Sequence, residues 1–75
     1  MEQRDKEWFV VSSRVAPLYS TANFDSRCLT EMVYGDSCKI ITIKKSWLFV
    51  KLDDGYQGWV KSFYGKWTKL KNNPL

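Results

Sequence analysis

The chain of 75 residues contains no histidine, two cysteines, two prolines and four glycines, and no apolar run approaches the roughly 20 residues of a membrane span. Each scarcity removes a class of function. A cysteine nucleophile normally relies on a histidine or equivalent base to form its thiolate, so neither Cys28 nor Cys38 has a candidate partner. Structural zinc takes four ligands, mainly Cys and His, and two cysteines do not supply them. The glycines at 35, 55, 58 and 65 are scattered and form no phosphate loop. Asp53 and Asp54 are adjacent carboxylates, but successive side chains in a strand or turn diverge, and the pair reads as turn-forming. No catalytic residue, metal or cofactor is therefore expected, and the chain by itself does not read as an enzyme. The opening "MEQRDKEW" lacks the apolar core of a secretory signal. As it stands the chain reads as cytoplasmic with no membrane partner, and the cell envelope stays open to a longer parent.

What the chain does have is aromatic surface. Four Trp, four Tyr and four Phe accompany a hydrophobic content of 44%, which argues for a compact fold rather than disorder. A chain this short buries only about 60% of its unfolded surface, so every large side chain matters. The net charge is +4, unevenly spread: residues 1–60 hold eight Lys/Arg against eight Asp/Glu, and the excess comes from Lys61, Lys66, Lys69 and Lys71. A basic end on a neutral body reads as a solvated strand and tail, which argues against a nucleic-acid face.

Short strand-like pieces alternate with turn residues, and helical periodicity never exceeds ten residues. "EWFVVSS" (7–13) comes first. Residues 14–27, with Pro17 and a Ser/Thr/Asn/Asp cluster, read as a long loop. "CLTEMVY" (28–34), "SCKIITI" (37–43), "WLFVKL" (47–52), "QGWVK" (57–61) and "KWTKL" (66–70) follow. The spacing of about ten residues suits a small barrel or sandwich, with 1–7 an N-terminal extension, 8–70 the barrel and 71–75 a tail or linker. If "YGDS" (34–37) closes a hairpin, Val33 faces Cys38 and Cys28 faces Ile43. The thiols then lie roughly 16 Å apart along the ladder, beyond the Cα separation of about 7 Å that a disulfide tolerates. Two free, half-buried thiols are expected. Phe9, Val11, Ile40 and Val60 are the predicted core, with Leu48, Val50 and Leu52 pointing the same way and Trp47 and Phe49 opposite. Trp8 and Trp67 brace the terminal strands, and Trp59 is open between packing beneath the third turn and facing out. Gly55 reads as a turn glycine and Gly58 as a close-approach glycine.

In combination, "VAPLYS" (15–20), "YGDSCKI" (34–40), "WLFVKL" (47–52) and "DDGYQGWV" (53–60) resemble the bacterial SH3 domain, in the form found beside NlpC-type cysteine peptidases that cut cell-wall peptides. "APLY" and "GWVKSFYG" also resemble the start and end of eukaryotic SH3 domains. The resemblance covers about residues 9–65. It implies an all-β fold, a small SH3-like barrel of five to six short strands with a long loop after the first. It also implies a non-catalytic binding or targeting module whose partner is a peptide, a peptidoglycan fragment, or a peptidase domain of the parent chain. The eukaryotic ligand groove aligns with Tyr19, Trp47 and Tyr64, and Tyr56 and Phe24 come next on neighbouring loops. In this picture Tyr56 and Tyr64 stand beside Trp47, Tyr19 reaches in off the long loop, and truncating Trp47 or Tyr64 costs affinity with little loss of fold. Lys61 occupies the place of a groove proline, and loop 20–27 carries a single acid, Asp25. Three other readings stay open: an intrachain regulatory domain shaping access to a peptidase site, a general protein–protein interaction domain, and a nucleic-acid-binding small β-barrel with stacking aromatics beside Lys61 and Lys66.

Overall fold

The computed structural model describes residues 8–68. The period-two segments form β1 (Trp8–Val11), β2 (Val15–Tyr19), β3 (Cys28–Val33), β4 (Ser37–Lys44), β5 (Trp47–Lys51), β6 (Gln57–Lys61) and β7 (Gly65–Thr68). A single 3-10 turn, Ser62–Tyr64, separates β6 from β7. All seven strands lie in one antiparallel sheet in the order β3-β2-β6-β5-β4-β1-β7. The sheet curls until its β3 end returns to β1: the Gly35 N–H donates to the Val11 carbonyl at 2.9 Å, and the Val11 N–H donates to that of Asp36 at 2.8 Å. The all-β, SH3-like expectation holds, with seven strands where five to six were expected. The predicted extension 1–7, the tail 71–75 and the last two residues of the predicted strand 66–70 lie outside the described residues.

The extra strand is β2, inside the segment read as a long loop. Ala16 and Leu18 are buried while Val15, Pro17 and Tyr19 face outward, an alternation that Pro17 and the polar residues after it obscure. β2 pairs fully with β3 but meets β6 only through Tyr19 and Trp59. Most of that edge therefore carries no ladder, the setting in which a strand tolerates proline.

The expected β3–β4 hairpin does not form. β3 pairs with β2, and β4 with β1 and β5. A hairpin would place Val33 and Cys38 on one face, yet Val33 is 54% exposed and Cys38 fully buried; the burial pattern sets the register against it. Instead the chain crosses over at Gly35, where φ is +91°, and the Asp36 carboxylate accepts the Val33 N–H at 2.9 Å. Both thiols are free, as expected, but they are not alike: Cys28 is exposed and Cys38 lies in the core.

That core is Phe9, Val11, Ala16, Leu18, Met32, Cys38, Ile40, Leu48, Val50 and Val60, with Leu52, Tyr64 and Trp67 packed against it. It includes Phe9, Val11, Ile40 and Val60 as predicted. Gly65 lets β7 close onto β1, since a Cβ there would strike the Val10 carbonyl oxygen and the Phe9 ring. Trp67 stands opposite Phe9 across that ladder and Trp8 opposite Thr68, the bracing positions expected of both tryptophans.

Candidate binding site

Leu48 and Val50 of β5 and Val60 of β6 point into the core, so alternation turns Trp47, Phe49, Trp59 and Lys61 to the outer face. Directly opposed residues share a face. Trp59 therefore joins Phe49 on one side and Tyr19 on the other, while Trp47 joins Lys61 and Lys44. Gly58 makes this row possible. Its Cα lies so close to β2 that a Cβ would come within 2.8 Å of Leu18 Cγ and of the Tyr19 carbonyl oxygen.

Loop 20–27 adds a further ring. Its ends are tied by Ser20 N–H to Arg27 carbonyl at 2.8 Å. Inside, Asn23 Oδ1 accepts the Asp25 N–H at 2.7 Å, and the Ser26 hydroxyl donates to the Asn23 carbonyl at 2.7 Å. The closed loop carries Phe24 onto Tyr19, edge to face at 5.6 Å between centroids, and onto Trp47 at 4.9 Å. Tyr19 and Trp47 are themselves edge to face at 5.9 Å. Three rings are thus in mutual contact, at separations where aromatic pairs attract beyond their burial. A second outward pair, Phe49 and Trp59 at 5.1 Å, continues the surface.

Lys61 caps the cluster. Its Nζ lies 4.9 Å from the Trp47 ring centroid and 5.6 Å from that of Phe24, and donates to Ser46 Oγ at 2.6 Å. Ser46 belongs to the β4–β5 turn, and its carbonyl also accepts the Ser62 N–H at 2.8 Å, fixing the end of β6 to that turn. At the other end of the cluster, partial desolvation raises the Tyr19 phenol, with smaller contributions from Tyr64, Cys28 and Glu31. Tyr19 remains a neutral hydroxyl able to donate at physiological pH.

Of the predicted site residues, Tyr19, Phe24 and Trp47 come together. Tyr19 does so from β2 rather than from the loop, and Phe24 takes the loop position. Tyr64 lies close enough to Tyr19 to influence its titration, but its ring leans on Phe63 at 4.5 Å and packs against the core. Its carbonyl accepts the N–H groups of Ser12 and Ser13. Tyr56 does not stand beside Trp47. It follows Gly55 at the far end of β6, where Gln57 opposes Lys51, about 13 Å along the strand from the Lys61–Trp47 pair. Trp47 is only 8% exposed, so it forms the floor of the cluster, whereas Phe24, 48% exposed, forms its accessible face. Lys61, read in the sequence as a substitution for a groove proline and as a basic residue of the nucleic-acid alternative, was not among the predicted peptide-site residues. Its signal was the hairpin register, which a turn at "DDGY" sets and which places Lys61 opposite Trp47.

Elsewhere, Met32, Gly35, Asp36, Ser37, Leu52, Asp53 and Asp54 line a cleft of about 300 Å³. Two of its acids serve turns: Asp36 accepts the Val33 N–H and Asp54 Oδ1 the Tyr56 N–H. Among the described residues no group of three His, Cys, Asp or Glu side chains could hold a metal ion.

A family model described as the bacterial dipeptidyl-peptidase SH3 domain matches residues 18–62. The chain belongs to this family of SH3 domains. No curated protein is similar enough to the chain to be matched. The matched span runs from Leu18 to Ser62 and takes in Tyr19, Phe24, Trp47 and Lys61. An SH3 domain of peptidase-associated proteins is in general a binding or accessory module and typically non-catalytic.

Proposed function

We propose that this SH3 domain binds an extended peptide, a peptidoglycan stem peptide, across the face formed by Tyr19, Phe24 and Trp47, and performs no catalysis itself. The observation that carries this reading is Phe24. A phenylalanine half exposed on a hydrogen-bonded loop adds nothing to a core already closed by the inward residues of β1 to β6. It is held in contact with two further rings. Rigid aromatic surface with the Tyr19 hydroxyl at its edge suits a peptide, giving apolar area and one polar handle at low entropic cost. The family's description as a peptidase SH3 domain supports a peptide over other ligands.

The test is titration of a cell-wall tetrapeptide, followed by tryptophan fluorescence, into the wild type, Phe24→Ala and Val50→Ala, with thermal unfolding in parallel. Aromatic anchors at binding sites typically carry about 2 kcal/mol, so Phe24→Ala is expected to weaken binding at least tenfold, while the lost ring contacts cost about 0.5–1.5 kcal/mol of stability and leave the domain folded. Val50 is fully buried, and Val50→Ala is expected to lose about 2 kcal/mol of stability while the folded fraction binds normally. Wild-type affinity in Phe24→Ala would overturn the reading. Trp47→Ala does not discriminate, because its burial makes it costly to the fold as well.

A further inference from the structure

The face has a polarity that bears on which part of a peptide it takes. Trp47 stands between two lysines in one cross-strand row, Lys61 on β6 and Lys44 on β4. Of the nearby acids, Glu31 lies toward the opposite end, near enough to raise the Tyr19 phenol, and Asp25 follows Phe24 on loop 20–27. Lys61 is also held in place. Its ammonium sits over the Trp47 and Phe24 rings and spends one of its three donors on Ser46 Oγ. Among the described residues no carboxylate pairs with it. A lysine on a surface is ordinarily a flexible, strongly hydrated charge, and ordering it offsets what a salt bridge gains. Here the rings and Ser46 have already ordered the side chain, and two donors remain for a ligand.

Resting on the peptide-binding reading above, we infer that Lys61 is a carboxylate-recognition residue. The face then selects a peptide that places an apolar group against Phe24 and a carboxylate against the Lys61 ammonium, with Lys44 adding long-range attraction. Lys61 hydrogen-bonds the bound carboxylate directly, a charge-assisted contact stronger than a neutral hydrogen bond. Phosphate on a nucleic acid is the other anion such a lysine could meet. The peptide is favoured because the row offers two lysines rather than a continuous basic track: Lys66 lies on β7, which is not paired with β6, β5 or β4.

The experiment compares a cell-wall tetrapeptide with its fully amidated form, in which every carboxylate is a carboxamide, on the wild type, Lys61→Met and Phe24→Ala. Methionine keeps an apolar stem over the rings and removes the charge. The wild type is expected to prefer the carboxylate form by about five- to tenfold. Lys61→Met is expected to lose that preference and to bind the two forms alike. Equal binding of both forms by the wild type, with Phe24→Ala weakening both, overturns the carboxylate inference and leaves the aromatic face standing. Binding of neither form overturns both. Tighter binding of an oligothymidylate than of the peptide, falling steeply with salt, assigns the lysine to phosphate and also overturns it.

Discussion

Gly58→Ala tests whether the binding face depends on the closeness of β2 and β6. Gly58 is buried on the inner side of β6, opposite Val50. Its backbone is not in the left-handed region, so alanine can adopt it, and the whole penalty comes from the added methyl group. That methyl would lie 2.8 Å from Leu18 Cγ, 3.1 Å from Leu18 Cδ2 and 2.8 Å from the Tyr19 carbonyl oxygen. The leucine can rotate away, but the carbonyl cannot move without β2. Overpacking of this kind costs about 1–3 kcal/mol, against a gain of about 0.4–1 kcal/mol from the stiffer unfolded chain. The middle of those ranges leaves a net loss of roughly 1–1.5 kcal/mol, about 4–12 °C in melting temperature for a domain of this size. Tyr19 and Trp59 form the one ladder pair between β2 and β6, so displacement of β2 moves Tyr19 off Trp47, and peptide affinity falls with stability. Gly55→Ala is the control. There φ is +99° and nothing lies within 4 Å of the added Cβ, so its cost is conformational, about 1–2 kcal/mol, and affinity is unchanged. Thermal and urea melts with peptide titration measure both. A Gly58→Ala domain melting within about 2 °C of the wild type would refute a tight β2–β6 contact.

Two further predictions concern single side chains. Lys45, in the two-residue β4–β5 connection, has φ of +56° without being glycine, and Lys45→Gly is expected to raise stability by about 1 kcal/mol, read as a higher urea midpoint; an unchanged or lower midpoint would show that the turn is unstrained. Burial, with Asp36 and Asp53 nearby, pushes the Cys38 thiol up to about 12, so iodoacetamide at neutral pH should label exposed Cys28 and spare Cys38 until the domain unfolds. Because the unfolded thiol ionises first, this group contributes stability that is complete at neutral pH and is lost as pH rises from the ordinary thiol range towards 12. Labelling of Cys38 at the Cys28 rate in the native domain would contradict its burial.

The strands that can be read from sequence are those whose alternation is unbroken. In "WLFVK" and "QGWVK" every second residue is apolar and buried or glycine, and both strands occur where that pattern places them. β2 hides because Pro17 and the polar run after Tyr19 mimic a loop, although Ala16 and Leu18 keep the inward period. The misread hairpin at 34–37 has a different cause. "GD" signals a turn, but the partners of β4 are β1 and β5. Nothing local encodes that the turn hydrogen-bonds to Val11, more than twenty positions earlier. The site divides along the same line. Tyr19 and Trp47 were legible through family resemblance. The place of Lys61 needed the cross-strand register, and a residue met as a departure from a motif caps one end of the cluster.

The register also explains why the domain carries tryptophan where lysine would be soluble. β5 and β6 each serve two surfaces with one alternation: Leu48, Val50 and Val60 close the core, and Trp47, Phe49, Trp59 and Lys61 build the outer face. An outward Trp47 left bare would be an aggregation hazard in so small a domain. Phe24 and the Lys61 stem cover it instead, leaving 8% of it exposed. A ligand on the proposed face would meet Phe24, Tyr19 and the Lys61 ammonium first, with Trp47 beneath them. On the proposed reading, truncating Trp47 would cost fold and binding together, whereas substitutions at the more exposed Phe24 and at Lys61 would read binding more directly. The function of the domain is accordingly to be sought with substitutions at those two residues.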